Sequence, residues 1–124
     1  SAIIIAPSNP FLSIGPILAV PGVRDCLLTR SAQVAAISPI VGGAAIKGPA
    51  AAIMGSLGHE VSALGVARLY ADLVDVFVVD EVDVGLVASI EEETGMRCVV
   101  TPTIMSGPEE KQALARVTLA ALSR

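Results

Sequence analysis

The run Ala2-Ile3-Ile4-Ile5-Ala6 is apolar at every position and carries no charge on either side of a strand. A half-solvated strand alternates apolar with polar residues, so an unbroken β-branched run belongs inside a parallel sheet whose two faces are covered by helices. The same composition returns at Val34 to Ile37, Val76 to Val79 and Cys98 to Val100. Helical segments separate these runs. Pro16 to Val20 resumes as Val23 to Leu28 after Pro21-Gly22, and Gly48-Pro49 opens Ala50 to Leu57, which ends at Gly58. Ser62 caps a stripe through Ala63, Val66, Leu69, Tyr70 and Leu73; Leu86 to Thr94 ends at Gly95; Pro108 to Leu122 carries Glu109 and Glu110 in its first turn. Strands alternating with helices predict βαβ units. The expected fold class is therefore α/β, a Rossmann-like parallel sheet flanked by helices, in one unit over residues 1–124. An interior strand needs a neighbour on each edge, and this chain enters one at once with no initiator Met, so the expectation is an incomplete piece of a larger α/β domain.

Composition removes several classes of function. Eight basic residues against twelve acidic ones give a net charge of -4, too little positive field for a phosphate polymer or an anionic bilayer, so nucleic acid and membrane surfaces are not expected partners. Although the mean hydropathy is +0.74, the charge-free stretch Ser1 to Val23 is cut by Pro7, Pro10, Gly15, Pro16 and Pro21, and no spanning helix runs through such breakers. With no secretory signal pattern, a cytoplasmic location is expected. Cys26 and Cys98 lack metal or redox spacing and read as reduced core thiols.

In an open α/β sheet, ligands bind beyond the carboxyl ends of the strands, which singles out three loops. After the first run, Pro7 to Pro16 leads into a helix N-terminus, where backbone N–H groups together with Ser8, Asn9 and Ser13 can cradle a phosphate or hydroxyl. The alternative is a turn whose Ser and Asn bond their own backbone. After the second run, Ser38 to Pro49 contains Gly42-Gly43 and Lys47, either a ligand loop or a glycine turn beside a solvated lysine; neither G-x-G-x-x-G nor a P-loop is present. The third loop, Thr101 to Gly107, is uncharged and gives a weak signal. Asp80, Glu81 and Asp83 end a strand and read as solvated carboxylates, His59 as surface packing, and Glu91-Glu92-Glu93 as a wet helix face. The residues assemble no catalytic nucleophile or metal site.

The strings Ile4 to Arg24, Ser38-Pro39-Ile40-Val41-Gly42-Gly43, Lys47-Gly48-Pro49-Ala50, Glu60 to Ala67 and Tyr70-Ala71-Asp72 resemble, in order, the 2-phospho-L-lactate transferases of coenzyme F420 biosynthesis. The resemblance implies transfer of a 2-phospholactyl or enolpyruvyl-phospho group from a guanylylated donor to the deazaflavin Fo. In that reaction a ribityl hydroxyl of Fo attacks phosphorus and GMP leaves with Mg2+ assistance. Ser8, Asn9, Ser13 and Gly15 would then hold the phosphate and ribityl end, while Ser38, Gly42, Gly43, Lys47 and Gly48 would meet the nucleotide portion. Only the carboxyl-terminal part of the family pattern is matched. The metal ligands are expected in the missing amino-terminal part, and the segment alone is expected to have little or no transfer activity. Pro102 stands where relatives tend to carry a polar or acidic residue, which weakens a role for the third loop. The competing expectation is a nucleotide-sugar-binding regulatory protein of the same fold, and the exposed sheet edge leaves a homodimer open.

Overall fold

A computed structural model describes residues 1–45 and 48–122. Four strands, β1 (Ala2–Ile5), β2 (Gln33–Ile37), β5 (Val76–Val79) and β6 (Arg97–Val100), form an all-parallel sheet in the order β1-β2-β5-β6. The expected α/β class is thus the observed one. Between β2 and β5 a short antiparallel hairpin, β3 (Ile40–Val41) with β4 (Ala44–Ala45), turns through Gly42 and Gly43. Their φ values of 59° and 82° are those of a primed two-residue turn, which only glycine and a few polar residues enter cheaply. The glycine pair was expected as a loop. Two glycines between apolar pairs are a hairpin signature, and the structure follows it.

The helices are α1 (Gly15–Leu18), α2 (Val23–Leu28), α3 (Ala50–Ser56), α4 (Ala63–Tyr70), α5 (Val87–Thr94) and α6 (Pro108–Leu122). The helix expected to open at Pro16 opens earlier, with a π-helical turn over Pro10–Ile14 running into α1. The reason is the proline itself. Pro16 has no N–H to continue an α register, and the turn before it widens, with Ile14 N–H donating to Asn9 O and Gly15 N–H to Pro10 O, five residues back. A 3-10 helix over Glu81–Leu86 likewise precedes α5.

The two faces of the sheet are covered unequally. Ile5, Val34, Ala36, Phe77 and Val79 point into the main core with Met54, Ala63, Val66, Tyr70 and Ile90 from the helices connecting the strands. On the other face α6 alone packs Leu114, Ala121 and Leu122 over Ala35, Ile37, Val76 and Val78. That cover stops short of β1, leaving Ile4 40% exposed. The expectation of helices over both faces therefore holds for the inner strands only. Cys98 is half-buried, and burial followed by the nearby Glu91 carboxylate pushes its thiol up to about 11. Cys26 faces solvent from α2, contrary to the core assignment, because α2 buries no residue fully and only Val23 and Leu27 are partly covered. No helix of the described residues is long and apolar enough to cross a membrane.

Carboxylates pin both ends of β5. Before it, Asp75 accepts from Val34 N–H at 2.8 Å and from Arg30 at 2.8 Å. At its far end Asp80 accepts from Thr103 and Val82. Burial pushes both carboxyls up, but these donors outweigh it and leave each below the ordinary carboxylate range. A group with a lowered folded pKa stabilises the fold above its unfolded pKa, and that contribution disappears as pH falls through the folded value. Thermal unfolding followed by circular dichroism should therefore show a steady midpoint from neutral pH down to about pH 5, then a decline below about pH 4. Asp75→Asn should flatten the decline. A midpoint that holds or rises into the acid range contradicts these assignments.

Candidate functional site

Parallel strands deliver their carboxyl ends to one rim, and there the segments after β1, β2 and β6 enclose a crevice of about 840 Å³. Its wall includes Pro7, Ser8, Asn9, Leu12 and Ser13 from the first loop and Pro39 and Gly48 from the second. Thr103, Ile104, Met105 and Ser106 come from the third, and Lys111 from the first turns of α6.

Asn9 organises the first loop. Its Oδ1 accepts from Phe11 N–H (2.9 Å) and Leu12 N–H (3.1 Å), and its carbonyl accepts from Ser13 and Ile14 N–H (both 3.0 Å). Two converging donors require an oxygen, which fixes the orientation of the amide. The free backbone N–H groups expected to cradle an anion are thus taken by Asn9, as in the turn alternative. What remains for a ligand is carried by side chains. The Asn9 Nδ2 is shielded from solvent and has no partner among the described residues. No described residue hydrogen-bonds the hydroxyls of Ser8, Ser13 or Ser106, or forms an ion pair with Lys111.

The remaining expected site residues divide. Ser8, Asn9, Ser13 and Gly48 line the crevice. Gly15 does not; its Cβ position would lie 3.0 Å from Pro10 O, so glycine there permits the π turn. Ser38 is wholly buried, its hydroxyl donating to Ile40 O (2.9 Å) and accepting from Ile40 N–H (3.2 Å). Gly42 N–H is shared between the two carboxylate oxygens of Asp83 at 3.2 and 3.1 Å, and the Gly42-Gly43 turn stands off the crevice wall. Lys47 lies outside the described residues. Asp80 and Asp83, expected as solvated, are buried because backbone N–H groups of the hairpin and the third loop converge on them. His59 stacks on Phe11 at 5.5 Å and bolts the first loop to the α3–α4 connection.

Sequence reasoning gave Thr103 to Ser106 only a weak signal and missed Lys111. The rule of strand carboxyl ends did reach the third loop, but a loop without charge gave little weight to the lysine four residues beyond it. Among the described residues no carboxylate belongs to the crevice wall. Among the described residues one ammonium, one amide and three unpartnered hydroxyls over an apolar surround favour an anion with an uncharged extension.

Comparison with known proteins decides the family. The family model described as 2-phospho-L-lactate transferase CofD matches residues 1–116. The chain belongs to the CofD family. It is 41% identical over 117 residues to the 2-phospho-L-lactate transferase of Methanosarcina barkeri, covering 94% of this chain and 37% of that protein. Against the phosphoenolpyruvate transferase of Streptomyces griseus it is 42% identical over 118 residues, again 94% and 37%. The 2-phospho-L-lactate transferase of Methanocaldococcus jannaschii is 41% identical over 114 residues, 92% of this chain and 35% of that protein. The chain therefore spans a little over a third of the length of these CofD relatives. The resemblance carried by Ile4 to Arg24 and the later strings is the one the comparisons return.

Proposed function

We propose that the crevice is the phosphate-binding part of a transferase that moves a 2-phospholactyl or enolpyruvyl-phospho group from a guanylylated donor to Fo. A terminal hydroxyl of Fo forms the new bond to phosphorus, and the bond to GMP breaks. Phosphoryl transfer asks a protein mainly to hold reacting groups in line and to offset negative charge, which suits a wall of donors with a cation. In this reading Asn9 Nδ2 and the Ser8 and Ser13 hydroxyls hold phosphate oxygens, Lys111 offsets charge, and the Gly48 turn meets the nucleotide portion. Leu12, Ile104 and Met105 form the apolar lip for the rest of the ligand. The observation that carries the proposal is the convergence of three loops on a wall that, among the described residues, holds no carboxylate and offers a lysine without an ion pair and an Asn9 Nδ2 without a partner.

The residues present do not fit a Mg2+ site. Among the described residues no three His, Cys, Asp or Glu side chains come together, and the carboxylates of Asp80 and Asp83 are already engaged by N–H groups.

Calorimetric titration with GMP, alongside Fo titration read by deazaflavin fluorescence, tests the reading. Saturable binding of both is expected, and Lys111→Ala should weaken GMP about tenfold, the loss of one charge-assisted contact of about 1.4 kcal/mol. A chain that ignores both ligands and binds a nucleotide sugar would instead be a regulatory relative.

A further inference from the structure

The wall made by the third loop has no regular structure of its own, which raises the question of what holds it in place. Thr101 N–H still belongs to the sheet, donating to Val79 O at 3.1 Å, and Lys111 N–H closes the first turn of α6 on Gly107 O at 3.1 Å. Between these points, among the described residues, hydrogen bonds tie the loop to the body of the protein only at Thr103. Its N–H donates to Asp80 Oδ1 at 2.8 Å and its hydroxyl to the same oxygen at 3.2 Å. The other oxygen of Asp80 accepts from Val82 N–H at 3.1 Å, capping the 3-10 helix. Asp80 and Thr103 are both buried, 7% and 1% exposed. Ile104, Met105 and Ser106 follow directly and line the crevice, and α6 with Lys111 follows them.

We infer that Asp80 is the positioning residue of this site, a buried carboxylate that touches no ligand and sets the third loop, and through it Ser106 and Lys111, against the Asn9 loop. Binding residues keep their geometry only when a supporting shell locks them, and a charged acceptor taking two bonds from one residue is a strong lock. The carboxylate is also shared. Because it grips the 3-10 helix whose Asp83 holds the β3–β4 hairpin through Gly42, one short segment fixes both the third loop and the hairpin. The significance of this anchor for transfer rests on the function proposed above, whereas its hold on the loop does not.

The test uses Asp80→Ala and Asp80→Asn in the full chain, reading amide hydrogen exchange residue by residue and GMP affinity by calorimetry. Asp80→Ala should speed exchange at Thr103 by a hundredfold or more, leave Val78 and Val99 within a few-fold of wild type, and weaken GMP at least tenfold. Asp80→Asn keeps one acceptor oxygen for Thr103 but loses the charge and the second acceptor, so it should show both effects at reduced size, about tenfold faster Thr103 exchange and GMP weakened about fivefold; it carries the test by itself should the alanine variant not fold. Unchanged Thr103 exchange in a folded variant overturns the anchor. Fast Thr103 exchange with GMP affinity within twofold of wild type overturns its positioning role. If wild type binds no GMP, the transferase reading falls, and exchange at Thr103 still decides whether Asp80 holds the loop.

Discussion

Gly65→Ala is expected to abolish cooperative folding or to lower stability by about 4 kcal/mol, among the largest effects a single methyl can have. Gly65 lies in the first turn of α4, where Ser62 Oγ accepts its N–H at 3.0 Å. A Cβ built there would sit 1.9 Å from Glu60 O and 2.9 Å from its carbonyl carbon, with Met54 Cε at 3.1 Å. The obstacle is backbone. It cannot be rotated away as a side chain could, so the Glu60 to Ser62 turn must move, and α4 with it. That helix brings Ala63, Leu64, Val66, Ala67 and Tyr70 into the main core, so a shift there is felt throughout. Native domains hold only about 5–15 kcal/mol in total, and such a loss takes a large share of it. Gly55→Ala is the matched control. Its Cβ would meet only Val61 Cγ2 at an ordinary 3.7 Å inside α3, and alanine there should stabilise by about 0.5 to 1 kcal/mol. Urea unfolding of the two variants checks both signs, and equal effects would show that the close approach to Glu60 is misplaced.

Substitutions at Asn9 should separate folding from binding. Asn9→Ala removes the acceptor of Phe11 and Leu12 N–H together with the Nδ2 donor, so it should cost about 1 to 2 kcal/mol of stability and weaken GMP by about tenfold. Asn9→Asp is the sharper experiment. A carboxylate caps as well as an amide, and the unfolding midpoint should stay within a few degrees of wild type. It also exchanges a donor for a negative charge, and an anion held at that point should bind about a hundredfold more weakly or not at all. A variant that keeps its stability and its GMP affinity would remove Asn9 from the binding site.

The sheet was legible because its signal is redundant. Four apolar runs, each bounded by helix starts and stops, leave few arrangements other than parallel strands with crossovers, and the boundaries of β2 and β6 moved by a single residue. The crevice-lining residues of the first loop were legible, whereas the second loop stayed open between a ligand loop and a glycine turn for a physical reason. Glycine pairs serve ligand loops and hairpins alike, and only the partner of the Gly42 N–H distinguishes them. That partner is Asp83, far along the chain. The burial of Asp80 and Asp83 was hidden in the same way, since a carboxylate in a turn is solvated unless distant N–H groups arrive to meet it, and those of Thr103 and Gly42 belong to other segments. Lys111 escaped notice because its role comes from where α6 starts, against the rim of the sheet.

The central claim, that the first and third loops jointly grip an anion, is tested most directly by titrating the chain with GMP and following its amide and side-chain N–H resonances. The Asn9 side-chain NH2 and the amides of Ser8, Thr103, Ser106 and Lys111 should shift together along one saturation curve. Shifts centred on Gly42 and Gly43, with the Asn9 side chain unmoved, would contradict it.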